Sequence, residues 1–295
     1  MGITDFVIVI TNTFGVSEIL KQLDNEEFFN DKECFISVLL DAFYSSEAFE
    51  LTKGEYLKIP KTIHYCWFGE NPIPDRLLKY MESWSKFFLD YEIMRWDESN
   101  YDIAKNKYMK EAYDKKMWAF VSDYARLEII YNHGGVYLDT DVEIVKPFDD
   151  LLYDDMFCGF ETNGHINFGL GFGAVKGHFL VKRIMDVYED LPFINHDGSL
   201  NLTPCPVYQT AALKEHGFKI INSYQKIGGA ALYPSEVMCP VNSLKTYNHL
   251  TDKTHSIHHF SATWVDDETS KKLQASRKQL EKILEARCKT NGEFN

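Results

Sequence analysis

The chain has 295 residues, 45% of them hydrophobic and 15% aromatic, which is enough for one large core or a core with an appendage and too apolar for a disordered chain. A formal net charge of -13 argues against nucleic acid or a bare anionic membrane as partner, since either polyanion would be repelled unless met locally, for instance through a bound cation. The six cysteines form no Cys-x-x-Cys pair, a spacing that fits reduced thiols better than a disulfide framework or a zinc site.

The most apolar start, Phe6 to Ile10, is far shorter than the roughly 20 residues of a spanning helix and lacks the basic flank of a signal peptide. The expectation is a cytoplasmic protein, with peripheral attachment to the inner face of a membrane left open. From Thr4 to Leu57 apolar residues recur at helical spacing, as in Ile19, Leu20, Leu23 and then Phe35, Leu39, Leu40, Phe43, which predicts a helical extension over 1–57. Ile59 to Gly69 reads as a first strand feeding a turn, Leu77 to Phe88 as a helix and Tyr91 to Trp96 as a second strand, the opening of an α/β fold.

Tyr108 to Lys115 and Trp118 to His133 read as helices, the second stopping at Gly134-Gly135, where glycine permits a left-handed cap. Val136 to Val145 resumes as strand, interrupted by an acidic triplet; Met156 to Phe160 and Ile166 to Val175 are further strands. Phe179 to Glu189 and Val207 to His216 read as helices, Ser256 to Phe260 as a last strand, and Ser270 to Cys288 as a charged amphipathic helix. With no repeat or clear linker, the expected organisation is a catalytic domain over 58–265 with the extension before it and a helix over 266–295 after it.

The central constellation is Leu138-Asp139-Thr140-Asp141. Carboxylates at i and i+2 of a strand share a face and can meet one cation, and oxygen ligands of this kind suit Mg2+ or Mn2+ bridging to substrate phosphates. Alone, Asp-x-Asp is common as a solvated turn; its place at the end of an apolar strand favours the metal. Asp123 and Arg126 lie at i and i+3 of a helix that runs into the Gly-Gly turn, so they share a face, either as a structural ion pair or as a pair facing the same cleft. Trp67, after a strand and before Gly69, is placed to stack on a planar base or to fill the core. His258 and His259 would face opposite sides of a strand, so at most one reaches a metal, and His258 is favoured.

Ile63 to Gly69, Ser122-Asp123-x-x-Arg126, Gly134 to Asp141 and His258-His259-Phe260-x-x-x-Trp264 together resemble the glycosyltransferases with a DXD sugar-binding region. The resemblance spans about Ile59 to Trp264, and its best-matched block is Trp118 to Asp141. It implies a GT-A type Rossmann-like α/β fold, a nucleotide-sugar donor with UDP favoured, and transfer with retention to a glycan or lipid-linked glycan acceptor, as in bacterial surface polysaccharide synthesis. Carried onto this sequence, Trp67 would stack on the base, and Asp123 and Arg126 would hold the sugar hydroxyls, with Ser122 beside them. Tyr137 would line the donor pocket, Asp139 would bridge ribose, sugar and metal shell, and Asp141 would ligate the metal. Trp264 would donate its indole hydrogen to the phosphate, and Asn167 would lie near the reacting centre. Cys205-Pro206 stands where the family has Gly-Pro, and Ala262-Thr263 where it has Gly-Ser, departures that bear on the acceptor more than on the reaction. Competing readings are a toxin-like protein glycosyltransferase, a nucleotide-sugar hydrolase and a catalytically inactive sugar-nucleotide binder.

Overall fold

A computed structural model describes residues 8–10, 34–36, 49–51, 53–242 and 248–261. The expected helix at Ser270 to Cys288 lies outside the described residues, as does Trp264. In the N-terminal stretch, β1 (Ile8–Ile10) and β2 (Cys34–Ile36) pair in parallel, where helix was expected. The β-branched run Val7 to Ile10 favours an extended backbone over the helical period read there.

The central sheet has seven strands in the order β4-β3-β5-β8-β7-β10-β9. These are β3 (Thr62–Cys66), β4 (Glu92–Trp96), β5 (Gly135–Tyr137), β7 (Met156–Gly159), β8 (Phe172–Ala174), β9 (Gln225–Ile227) and β10 (Ala230–Tyr233). β3 pairs in parallel with β4 and β5, and β7 with β10, while β8 and β9 run antiparallel to their neighbours. The result is a mixed sheet of the α/β Rossmann-like class. From β3 the chain crosses through helix α1 (Asp75–Phe87) to β4 on one side. It returns through α2 (Lys107–Asp114) and α3 (Trp118–His133) to β5 on the other. The strand order therefore reverses between β3 and β5, and the carboxyl ends of such strands open a crevice for a ligand.

Alternating residues feed two cores. Met156 and Cys158 of β7 join the cluster under α2 and α3, and Phe157 joins the cluster on the other face, as the two-residue period of a strand requires. α3 is apolar nearly all round and buried through its middle turns, so it fixes the side chains it carries far more firmly than a surface helix could. It ends at Gly134, whose φ of +70° is a left-handed value. A Cβ on Gly135 would lie 2.6 Å from the Thr62 carbonyl oxygen, so glycine is what lets β5 pair closely with β3.

A two-stranded antiparallel ribbon, β6 (Val142–Ile144) with β11 (Ser256–His258), packs Val142 and Ile144 into the second core. α1 holds it: the Trp84 indole donates to the Val142 carbonyl at 2.8 Å and Ser83 Oγ accepts from the Ile144 N–H at 2.8 Å. The strand expected over Val136 to Val145 is thus two strands in different sheets, and that over Ile166 to Val175 is a 3-10 turn at Phe168–Leu170 followed by β8. Gly171, at φ +119°, ends the turn and separates it from β8. The strands β9 and β10 and the short helix α6 (Ser235–Met238) were not anticipated, since three or four residues carry too little period to read. Helices α4 (Phe179–Val187) and α5 (Cys205–Lys214) complete the described fold. Among the described residues no helix is long and apolar enough to cross a membrane.

Candidate functional site

At the reversal between β3 and β5 lies a cleft of about 570 Å³. Trp67, Ser122, Asp123, Arg126, Tyr137, Asp139, Asp141, Asn167 and His258 all line it. Trp67 follows β3; its indole N–H donates to the Asn71 carbonyl at 2.6 Å and it is half-buried. Beside it, Gly69 at φ +95° lies so close to the Trp118 ring that a Cβ would meet it at 2.6 Å.

Asp139 and Asp141 do not sit in a strand. They occupy the turn that leaves β5 and enters β6, closed by the Val142 N–H donating to the Asp139 carbonyl at 3.1 Å. The shared face expected from strand alternation is produced by this turn. β11 brings His258 against it, with Nε2 at 3.2 Å from Asp141 Oδ1, and ligand atoms of Asp139, Asp141 and His258 lie within 4.8 Å of one another. The neighbouring His259 turns the other way, stacked on Tyr80 at 3.9 Å and bonded to Glu143 at 2.8 Å.

Burial works against charge on the Asp141 carboxyl, but the imidazole of His258 and the Ser261 N–H, 2.6 Å from Oδ2, outweigh it and hold the group well below the ordinary carboxylate range. Burial likewise pushes the His258 imidazole down, and Asp141 more than restores it, to a raised value. Two carboxylates and one imidazole form a donor set that suits Mn2+ and is tolerable for Mg2+. The His258 Nδ1 is buried with no hydrogen-bond partner among the described residues.

Arg126 is the hub of the opposite wall. Its guanidinium, 3% exposed, reaches Asp123 at 3.1 Å and Asp139 at 3.4 Å, and lies over the Tyr137 ring at 5.0 Å. It also donates to the carbonyl and hydroxyl oxygens of Ser122 at 2.9 and 3.0 Å. Tyr137 donates its hydroxyl to Asp139 Oδ1 at 2.9 Å. Burial raises the Asp123 carboxyl to about 6 despite Arg126 and a hydrogen bond from the Cys205 thiol. A surface ion pair would leave both groups near their ordinary values; here a buried cation holds two carboxylates, Asp123 and Asp139, at one cleft.

Sequence reasoning missed three contributors. Gly169 passes so close to the site that a Cβ would lie 2.3 Å from Asp139 Oδ2 and 3.1 Å from Arg126 Nη1. Helix α5 pins the turn before it: Thr210 Oγ1 accepts from the Ile166 N–H at 3.1 Å, and Gln209 Oε1 from the Phe168 N–H at 2.9 Å. Glu161 lines the cleft and accepts from Asn167 Nδ2 at 2.7 Å. Gly169 had a signal in the segment Ile166 to Gly169; a lone glutamate after a strand has none.

Residues 74–158 match the family described as the glycosyltransferase sugar-binding region containing a DXD motif, and the turn Asp139 to Asp141 falls inside the match. That stretch, less than half of the chain, is similar to the sugar-binding region of glycosyltransferases. An uncharacterised glycosyltransferase of Acanthamoeba polyphaga mimivirus is 37% identical over 100 residues, 32% of this chain and 40% of that protein. Inositol phosphoceramide mannosyltransferase 1 of Schizosaccharomyces pombe is 36% identical over 110 residues, 34% of this chain and 33% of that protein. The matched stretch thus spans less than half of each relative's own length. Among solved structures, the PaToxG glycosyltransferase is similar with a TM-score of 0.43 at 18% identity, over 53% of this chain and 68% of that one. The galactosyltransferase LgtC is similar with a TM-score of 0.38 at 13% identity, over 74% of this chain and 94% of that one.

Proposed function

We propose that this protein is a metal-dependent retaining glycosyltransferase that moves a hexose from a nucleoside-diphosphate sugar, UDP favoured, to a hydroxyl of a glycan or lipid-linked glycan. The observation that carries the reading is the meeting of the Asp139, Asp141 and His258 cluster with the Arg126 and Asp123 pair in one cleft. Asp139, Asp141 and His258 would hold Mn2+ or Mg2+, which supplies charge neutralisation for the departing diphosphate. Trp67 offers its indole face to the base, and Trp264, outside the described residues, would donate its N–H to a phosphate oxygen.

Asp123 and Arg126 hold the donor sugar hydroxyls. Their burial makes each hydrogen bond stronger than in water and requires no reorganisation during the reaction. The acceptor oxygen bonds to the anomeric carbon on the face that the diphosphate leaves. The bond from that carbon to the phosphate oxygen breaks with its electron pair moving to oxygen, which takes the acceptor's proton. Asp123 and Asp139 are tied to Arg126, and Asp141 to His258 and Ser261, so none of these three offers a free nucleophile.

The test is a panel of UDP-galactose, UDP-glucose, UDP-N-acetylglucosamine and GDP-mannose, each incubated with Mn2+ and followed for donor consumption. One donor is expected to be consumed, and Asp141→Asn to lower its rate by about a hundredfold or more. Full activity of Asp141→Asn with Mn2+ would sink the assignment, and an inverted product anomer by NMR would remove retention from it.

A further inference from the structure

We infer that Glu161 is the carboxylate that binds the acceptor, a neutral pyranoside, and that Asn167 is the residue that aims it; the inference rests on the transferase reading above. Asn167 was expected near the reacting centre, yet both ends of its amide are engaged. The Gly169 N–H is a donor, so the atom it meets at 2.7 Å is Asn167 Oδ1. The amino end is thereby directed at Glu161 Oε1, 2.7 Å away. What Asn167 presents to the cleft is Glu161.

Glu161 stands at the base of a tight turn, its N–H donating to the His165 carbonyl and its carbonyl accepting from the Gly164 N–H, both at 2.8 Å. Its backbone is therefore as fixed as its side chain. It lines the cleft that Asp141 and His258 also line, half-buried. Among the described residues no cation pairs with it; its second oxygen meets the exposed Asn163 amide at 3.3 Å. An unpaired carboxylate in this position repels a diphosphate and calls for hydroxyl donors.

The donor sugar already has Asp123 and Arg126, carried by α3. Glu161 belongs to a different wall, built from the turn after β7 and braced by α5 through Gln209 and Thr210. The segment leading into α5 adds Leu202, 52% exposed and lining the same cleft. A carboxylate together with an exposed aliphatic side chain matches a pyranoside, which offers hydroxyls at its edge and C–H groups on its face. Glu161 exchanges no covalent bond in this role. It accepts hydrogen bonds from acceptor hydroxyls and orients the reacting one.

The experiment uses the full chain with Mn2+ and the donor consumed in the panel, and compares wild type with Glu161→Gln and Glu161→Ala. Donor hydrolysis is measured without acceptor, and transfer with the methyl α-glycosides of glucose, galactose and mannose. Hydrolysis and the Kd for Mn2+ with UDP are expected to stay within about twofold, which also reports folding. The acceptor KM is expected to rise roughly tenfold or more in Glu161→Ala and by less in Glu161→Gln, which keeps an acceptor oxygen. An equal fall in hydrolysis and transfer would make Glu161 part of the donor or metal machinery and overturn the inference. So would an unchanged acceptor KM, or wild-type donor consumption that none of the three glycosides accelerates. No donor consumption by wild type would remove the transferase reading itself, and this inference with it.

Discussion

At the scale of single residues, the site depends on how closely a backbone can approach a carboxylate. Gly169 supplies no hydrogen-bonding side chain, but its Cα passes so close to Asp139 Oδ2 that a Cβ would come to 2.3 Å. Gly169→Ala must displace Asp139, Asn167 or Arg126, all of them fixed by other contacts. Mn2+ affinity by calorimetry is expected to fall by about tenfold or more, since small displacements of ligand-orienting groups cost that much. The circular dichroism spectrum should be unchanged. Wild-type affinity in the alanine variant would show that the Asp139 carboxylate is free to move and is not a positioned ligand.

At the scale of elements, β3 and β5 are locked by a histidine that must be neutral. His64 Nδ1 accepts from the Trp96 indole at 3.0 Å, and Nε2 faces the Gly134 carbonyl at 3.0 Å, so one nitrogen is acceptor and the other donor. Burial depresses the imidazole from 6.5 to about 4. The unfolded chain then binds more protons than the folded one between those values, and stability rises with pH across that window. Falling from pH 7 to below 4 should therefore cost roughly 3 kcal/mol from this group, at about 1.4 kcal/mol per decade. Urea denaturation at pH 7 and pH 4.5 is expected to show part of this loss in wild type and less of it in His64→Gln. Identical pH dependence in the two proteins would rule out the locked tautomer. The long elements were legible because their apolar periods are long: α3 is read from Trp118 to His133 and observed there. The helical period read before Leu57 was misleading at β1 and β2, and the acidic strand divided, because three-residue strands are decided by their neighbours.

At the scale of the whole molecule, the candidate metal cluster joins parts far apart in sequence. Asp139 and Asp141 leave β5, His258 arrives from β11, and the Ser261 N–H just beyond that strand also holds Asp141. Asp139, Asp141 and His258 would hold a cation in the folded chain alone, because only folding brings these residues together. With Mn2+ at a hundred times its Kd, stability should increase by about 2.7 kcal/mol, seen as a Tm higher by several degrees. Asp139→Asn should abolish the rise, and a wild-type Tm indifferent to Mn2+ with UDP would contradict a metal held between these elements. The sequence by itself determined the α/β class, the DXD region and the residue types of the cleft, because helical period, the Gly-Gly stop and motif spacing are local properties of the chain. Only the tertiary structure decided that a turn presents both aspartates, that His258 faces them while His259 does not, and that Glu161 enters the cleft. The turn is set by how β5 and β6 join different sheets, and the opposite facing of His258 and His259 depends on segments that pack together at sequence separations above a hundred residues, where no local pattern reaches.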